Sequence, residues 1–161
     1  MSKTIIGVMG PGEGATNTDI KNAEELGKRI AREQWVLLTG GRNIGVMEAA
    51  SKGAKKAGGL TIGTLPTQDK TGMSDHVDIP ICTGMGSARN NINVLTSNVV
   101  VVCGNGAGTT SEIMLALKAD KPLILLNTSR KLLAFLQELS YPEPKVAQSP
   151  EQAFDLIKKL V

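Results

Sequence analysis

The chain has 161 residues, 41% hydrophobic and 20% charged, a composition that suits one globular domain spanning residues 1–161 around a single core. Its net charge of +3, with no Lys/Arg run longer than two, is too mild for an electrostatic nucleic-acid binder. Trp35, Phe135, Tyr141 and Phe154 are the only aromatics, so no stacking platform for single strands exists, and no apolar run reaches the length of a membrane span.

In chain order, Thr4–Met9 is a short β-branched apolar run and reads as a strand. Asp19–Glu33 carries apolar positions at the spacing of one helix face. Trp35–Thr39 is a second strand, Val46–Ala57 a second helix stopped by Gly58-Gly59, and Leu60–Leu65 a third strand ended by Pro66. Thr67–Asp78 is a polar loop, and Val77–Cys82 a short strand. Ser87–Thr96 reads as a helix, Val99–Cys103 as a central buried strand and Thr110–Lys118 as a helix. Pro122–Asn127 is a strand, Ser129–Leu139 a helix and Lys145–Gln148 a short edge strand. Ser149-Pro150-Glu151-Gln152 then opens the last helix as a capping box with proline at the first helical position.

Strands alternating with helices predict an α/β fold: a doubly wound, Rossmann-like parallel sheet with helices on both faces. Ligands bind such sheets beyond the strands' C-terminal ends, where strand order reverses. Three glycine-rich turns follow predicted strands: Gly10–Gly14, Gly40–Gly45 and Gly104–Gly108. In a doubly wound sheet all three line one crevice.

Gly104-Asn105-Gly106-Ala107-Gly108-Thr109 joins the Val99 strand to a helix, and such a turn presents backbone N–H groups and a helix dipole to a phosphate. Gly10, Gly12 and Ala15 form a poor dinucleotide fingerprint, equally a plain glycine turn. The second strand ends Leu37-Leu38-Thr39-Gly40 without an acid for a ribose, which argues against NAD, and no Walker motif is present. Arg42 either pairs with a phosphate or is a solvated turn residue. Thr109 and Glu112 have capping-box spacing, while a carboxylate beside a phosphate loop also suits a general base or a ribose partner. With Ser87 as N-cap, Arg89 falls in a first helical turn, where either a bound anion or water screens its charge.

Cys82 and Cys103, in apolar runs, read as buried free thiols of a reducing compartment. His76 is the single histidine. Asp69, Asp75, His76 and Asp78 match no trusted ligand set, so a solvated loop is favoured over a dedicated metal site. A signal segment is not recognisable, and a cytoplasmic location is expected.

These elements resemble the Lonely Guy-like (lysine decarboxylase-like) Rossmann group. Its hallmark P-G-G-x-G-T-x-x-E aligns with Gly104–Glu112, its T-G-G-x-x-x-G-x-M with Thr39-Gly40-Gly41-Arg42-Asn43-Ile44-Gly45-Val46-Met47, and its arginine with Arg89. The resemblance runs from about Ile5 to Leu126. It implies a site built from Gly10, Gly12, Thr39, Gly40, Gly41, Arg42, Gly45, Val46, Met47, Arg89, Gly104, Asn105, Gly106, Ala107, Gly108, Thr109 and Glu112. In one branch an arginine and the motif glutamate cleave nucleoside 5′-monophosphates, typically cytokinin ribotides, into base and ribose 5-phosphate; Arg89 and Glu112 match them. Two departures stand out: Gly104-Asn105 replaces Pro-Gly, and Asn90 follows the arginine where hydrolases usually carry lysine.

These departures, and the short chain, look more like the molybdenum cofactor carrier branch. Its members bind the phosphorylated molybdopterin cofactor as cargo without turnover, and are typically homo-oligomers. The expectation is therefore a carrier for a phosphorylated heterocycle, with phosphoribohydrolase as the alternative and a nucleotide-sensing domain as a third. As a dimer or tetramer, it would use exposed apolar positions on helices such as Val46–Ala57.

Overall fold

The computed structural model describes residues 2–139 and 141–161. The elements are β1 (Ile5–Met9), α1 (Asn17–Arg32), β2 (Val36–Thr39), α2 (Gly45–Lys56), β3 (Thr61–Leu65), β4 (Ile79–Cys82), a 3-10 turn (Gly86–Arg89), α3 (Asn90–Thr96), β5 (Val99–Cys103), α4 (Ala107–Lys118), β6 (Leu123–Leu126), α5 (Arg130–Gln137), β7 (Lys145–Ala147) and α6 (Pro150–Lys158). The sheet runs β4-β3-β2-β1-β5-β6-β7 with every neighbouring pair parallel. This is the expected doubly wound, Rossmann-like α/β architecture.

The apolar runs explain the two-sided burial. All five residues of β5 are fully buried. Val99, Val101 and Cys103 pack with α1, α2 and α6, whereas Val100 and Val102 pack with α3, α4 and α5. β6 divides the same way, Ile124 and Leu126 against Leu123 and Leu125. Alternation at period two thus feeds two apolar layers, and each such side chain contributes roughly 1.5–3 kcal/mol by leaving water.

Strand order reverses between β1 and β5. Their register pairs Ile6 with Val99 and Met9 with Val102, so the loops after both strands emerge side by side. That reversal places the site.

Helices α1 and α2 cross in close contact through glycines. A Cβ at Gly27 would run into the Ala50 carbonyl, and one at Gly53 into the Glu24 carbonyl. Val46, Ala49, Ala50 and Ala54 of α2 are consequently buried within the same chain. The expected dimer face on this helix is thereby corrected: its apolar stripe is already covered by α1 and the sheet.

Other local expectations shift too. The first long helix starts two residues early, because Thr16 and Asp19 form a capping box: Asp19 N–H donates to Thr16 Oγ1 (3.1 Å) and Thr16 N–H to Asp19 Oδ2 (2.9 Å). The helix expected from Ser87 is a 3-10 turn followed by α3, and Ser87 is not a cap. At α6, Ser149 accepts from Gln152 N–H (3.1 Å), but Gln152 reaches back to Gln148 N–H (2.7 Å) rather than to Ser149. Of the cysteines only Cys103 is buried; Cys82 is exposed because β4 is an edge strand with its residues open to solvent.

Candidate functional site

The three glycine turns converge, as their positions after β1, β2 and β5 require. They line an open cleft of about 350 Å³ at the C-terminal ends of the strands. Of the residues singled out in the sequence, Gly10, Gly12, Gly40, Arg42, Met47, Arg89, Gly106, Ala107, Gly108, Thr109 and Glu112 line it.

The remaining six stand behind that lining. Thr39 is buried, and its hydroxyl accepts from Gly41 N–H (3.1 Å). Gly41 lies against Gly63, and Gly45 packs on the Pro11–Gly12 backbone with a φ of +57°. Val46 donates its N–H to the Pro11 carbonyl (3.0 Å) and fills the space beside Gly10. Gly104 turns the chain at φ +87° against the Asp19 carboxylate, where a side chain has no room. Asn105 points to the next loop: its amide donates to the Asn127 carbonyl (3.2 Å) and its oxygen accepts from Ser129 N–H (2.8 Å).

The start of α4 differs from the expected capping box. The helix begins at Ala107 with Gly106 as N-cap, and Thr110 N–H closes the first turn on the Gly106 carbonyl (2.8 Å). Thr109 is therefore already inside the helix, and its buried hydroxyl has no partner among the described residues. Glu112 lies further along and caps nothing. Helices α1, α5 and α6 each carry a side-chain cap, from Thr16, Ser129 and Ser149. Helices α2 and α4, whose starts meet the cleft, carry none, and α4 has no acid in its first turn. An uncapped helix start is a place where backbone N–H groups and the dipole attract an anion.

Two buried charged groups share the floor of the cleft. Arg89, 8% exposed, donates from Nη1 to Asn90 Oδ1 (3.0 Å), and its Nε has no partner among the described residues. Glu112, 5% exposed, accepts at Oε1 from Asn93 Nδ2 (3.1 Å). Burial pushes the Glu112 carboxyl up to about 7, against the Asn93 hydrogen bond and the Arg89 charge. Burial lowers the Arg89 guanidinium below its ordinary value; Glu112 opposes this and Arg42 adds to it.

Arg42 is exposed on a turn held from outside the cleft. Asn43 N–H donates to the Gly72 carbonyl and Ser74 N–H to the Gly41 carbonyl, both at 2.9 Å. The loop that provides these bonds holds the acids considered in the sequence. Asp78 pairs with Lys55 (2.6 Å), His76 Nδ1 meets Glu48 Oε1 (3.0 Å), and Asp69 accepts from Thr71 N–H (3.0 Å). Asp78 and His76 thus tie the loop to α2 and Asp69 bonds within it, and none of the three lines the cleft.

Met9, Pro11, Glu13, Pro66, Gly86, Ser87 and Asn90 also line the cleft and were not singled out as site residues. Pro11 and Glu13 sit inside a glycine turn already identified, so that signal was present. Pro66 and Gly86 enter only because β3 lies two strands from β1, which is a matter of sheet order.

The residue-3 to residue-154 segment matches the model of the SLOG cluster4 family. The molybdenum cofactor binding protein from the phototrophic bacterium Rippkaea orientalis superposes with a TM-score of 0.93 at 60% identity, over 99% of this chain and 98% of that one. The molybdenum cofactor carrier protein of Chlamydomonas reinhardtii does so with a TM-score of 0.93 at 51% identity and the same coverage. A cytokinin riboside 5′-monophosphate phosphoribohydrolase of Mycobacterium tuberculosis is 30% identical over 113 residues, 65% of this chain and 60% of that protein. Arginine, glutamate and the glycine turns thus stand in the order expected of a Lonely Guy-like protein, and the chain belongs to the SLOG cluster4 family.

Proposed function

We propose that the protein binds and carries molybdenum cofactor, holding the cofactor's terminal phosphate at the start of α4. The observation that carries this reading is the uncapped α4 N-terminus. It opens into a cleft with Arg89 and Arg42, in a chain that aligns end to end with cofactor-binding relatives. Backbone N–H groups from Ala107 to Thr109 take the phosphate oxygens, and the Thr109 hydroxyl and Arg89 Nε supply donors that have no partner among the described residues. Met9, Met47, Pro11 and Pro66 offer apolar surface to the flat heterocycle. No bond needs to break for this role.

A second reading has its own observation. Glu112 and Arg89 lie in one cleft, and a carboxyl poised near neutral pH suits proton transfer. Phosphoribohydrolysis of a nucleoside 5′-monophosphate is the reaction this pair would serve, with Glu112 orienting water or ribose and Arg89 positioning the phosphate.

The deciding experiment incubates the purified protein with released molybdenum cofactor, then with AMP and cytokinin ribotides. The carrier reading expects cofactor to co-elute with the protein, resist oxidation and activate a cofactor-free molybdoenzyme, with no free base from either nucleotide. Free base that disappears in Glu112→Ala overturns it in favour of the hydrolase. We also read the protein as a cytoplasmic homo-oligomer; Met85 and Leu95, each about half exposed, support a covered face near α3, and sedimentation velocity tests it.

A further inference from the structure

Opposite charges buried in one cleft attract, and an arginine with a carboxylate readily closes into a two-bond fork. Here that does not happen. Arg89 gives Nη1 to Asn90, and Glu112 takes its hydrogen bond from Asn93. Both asparagines belong to α3, three residues apart, hence on one face of the helix.

Asn90 is itself held in a fixed sense. Its Nδ2 donates to Ser111 Oγ (2.9 Å) and towards the Gly108 carbonyl (3.5 Å), both in the first turns of α4. Ser111 Oγ donates to the same carbonyl (2.6 Å). The amide oxygen of Asn90 must therefore face Arg89, and the arginine is tied to the helix whose N-terminus opens into the cleft. An amide orients a charged group without neutralising it, which a carboxylate in its place would do.

We infer that Asn90 and Asn93 are positioning residues that keep Arg89 and Glu112 apart, so that the guanidinium stays available to an oxyanion. This rests on the cleft being the ligand site proposed above, although its first test needs no ligand. With the asparagine spacer removed, Arg89 closes on Glu112, and the pair no longer presents a free cation.

The test uses Asn90→Leu, with Asn90→Ala as a smaller alternative that avoids overpacking. Glu112 is followed by carboxyl-carbon NMR titration in the full chain, without ligand. Its midpoint is expected near 7 in the unsubstituted protein. It falls by at least about one pH unit in either variant as Arg89 moves onto it. Binding of inorganic phosphate is then measured in the same proteins. Affinity drops roughly tenfold in Asn90→Leu, and that drop vanishes when Glu112→Gln is combined with it, because the arginine then has no opposite charge to close upon. A folded variant with an unmoved Glu112 midpoint, or an equal loss of phosphate affinity in the Glu112→Gln background, overturns the inference. A protein that binds no phosphate but shows the shifted midpoint overturns the ligand assignment alone.

Discussion

Gly40 lies under the guanidinium of Arg89: a Cβ at position 40 would stand 2.8 Å from Nη1 and 2.9 Å from Nη2, and 2.6 Å from Met47 Sδ. The turn after β2 therefore contributes an absence of side chain, and that absence is where the arginine rests. A glycine from one strand end and an arginine from the approach to α3 form a single feature of the cleft.

Gly40→Ala is expected to displace Arg89 while leaving the fold intact. Losing one charge-assisted hydrogen bond to the ligand corresponds to about 1.5–3 kcal/mol, or roughly ten- to a hundredfold in affinity. Cofactor retention and phosphate binding measure the loss. Unchanged affinity, with the arginine displaced from Asn90, would remove Arg89 from the anion site.

The Glu112 carboxyl makes stability depend on pH. Its folded-state value is raised from 4.5 to about 7, so the folded chain holds the proton more tightly than the unfolded chain. Stability is accordingly highest below pH 4.5 as far as this group is concerned, declines as pH rises from there to 7, and stays reduced above. At about 1.36 kcal/mol per pH unit the difference is on the order of 3 kcal/mol. Glu112→Gln keeps an acceptor for Asn93 and carries no charge. Its Tm should exceed that of the parent by roughly 5–10 °C at pH 8, and the two should converge near pH 4. A constant offset across that range would contradict the assignment.

Thr109→Val separates binding from stability. The Thr109 hydroxyl is buried and without a partner among the described residues, so its removal breaks no internal hydrogen bond. Urea unfolding should show a stability equal to the parent or higher by about 1 kcal/mol, since an unsatisfied buried hydroxyl is lost. Phosphate affinity should fall roughly tenfold if that hydroxyl is a ligand donor. A fall in stability of similar size would instead make Thr109 a structural residue.

The two thiols should react in two phases. Cys82 is exposed on the sheet edge, whereas Cys103 is fully buried and its thiol is pushed up by that burial. A thiol-specific reagent should titrate Cys82 in the native protein and Cys103 only in guanidinium chloride. Cys82→Ser should abolish the native phase; rapid labelling of Cys103 would show that β5 opens easily.

Particular residues show where sequence reading reaches and where it ends. Thr109 and Glu112 have the spacing of a capping box, yet the helix begins at Ala107, because the turn at Gly104 and Gly106 brings the chain round sooner. Thr16 and Asp19 do form such a box, ahead of the apolar period that starts at Ile20. The apolar stripe of α2 looked free for a second copy, but glycines at 27 and 53 let α1 cover it. The two helix starts were decided by local turns, and for the α2 stripe the partner lay elsewhere in the chain.

By itself the sequence determined the alternation of strands and helices, the parallel doubly wound sheet and the three glycine turns at strand ends. These follow from period-two and 3.6-residue patterning and from local backbone freedom, which neighbouring residues settle among themselves. Only the tertiary structure decided which side chains share the cleft. Gly40, Arg89, Asn90, Asn93 and Glu112 meet because strand order reverses between β1 and β5 and packs α3 against α4. Burial there raises the Glu112 carboxyl, and two asparagines keep it from the arginine, relations that no spacing along the chain encodes.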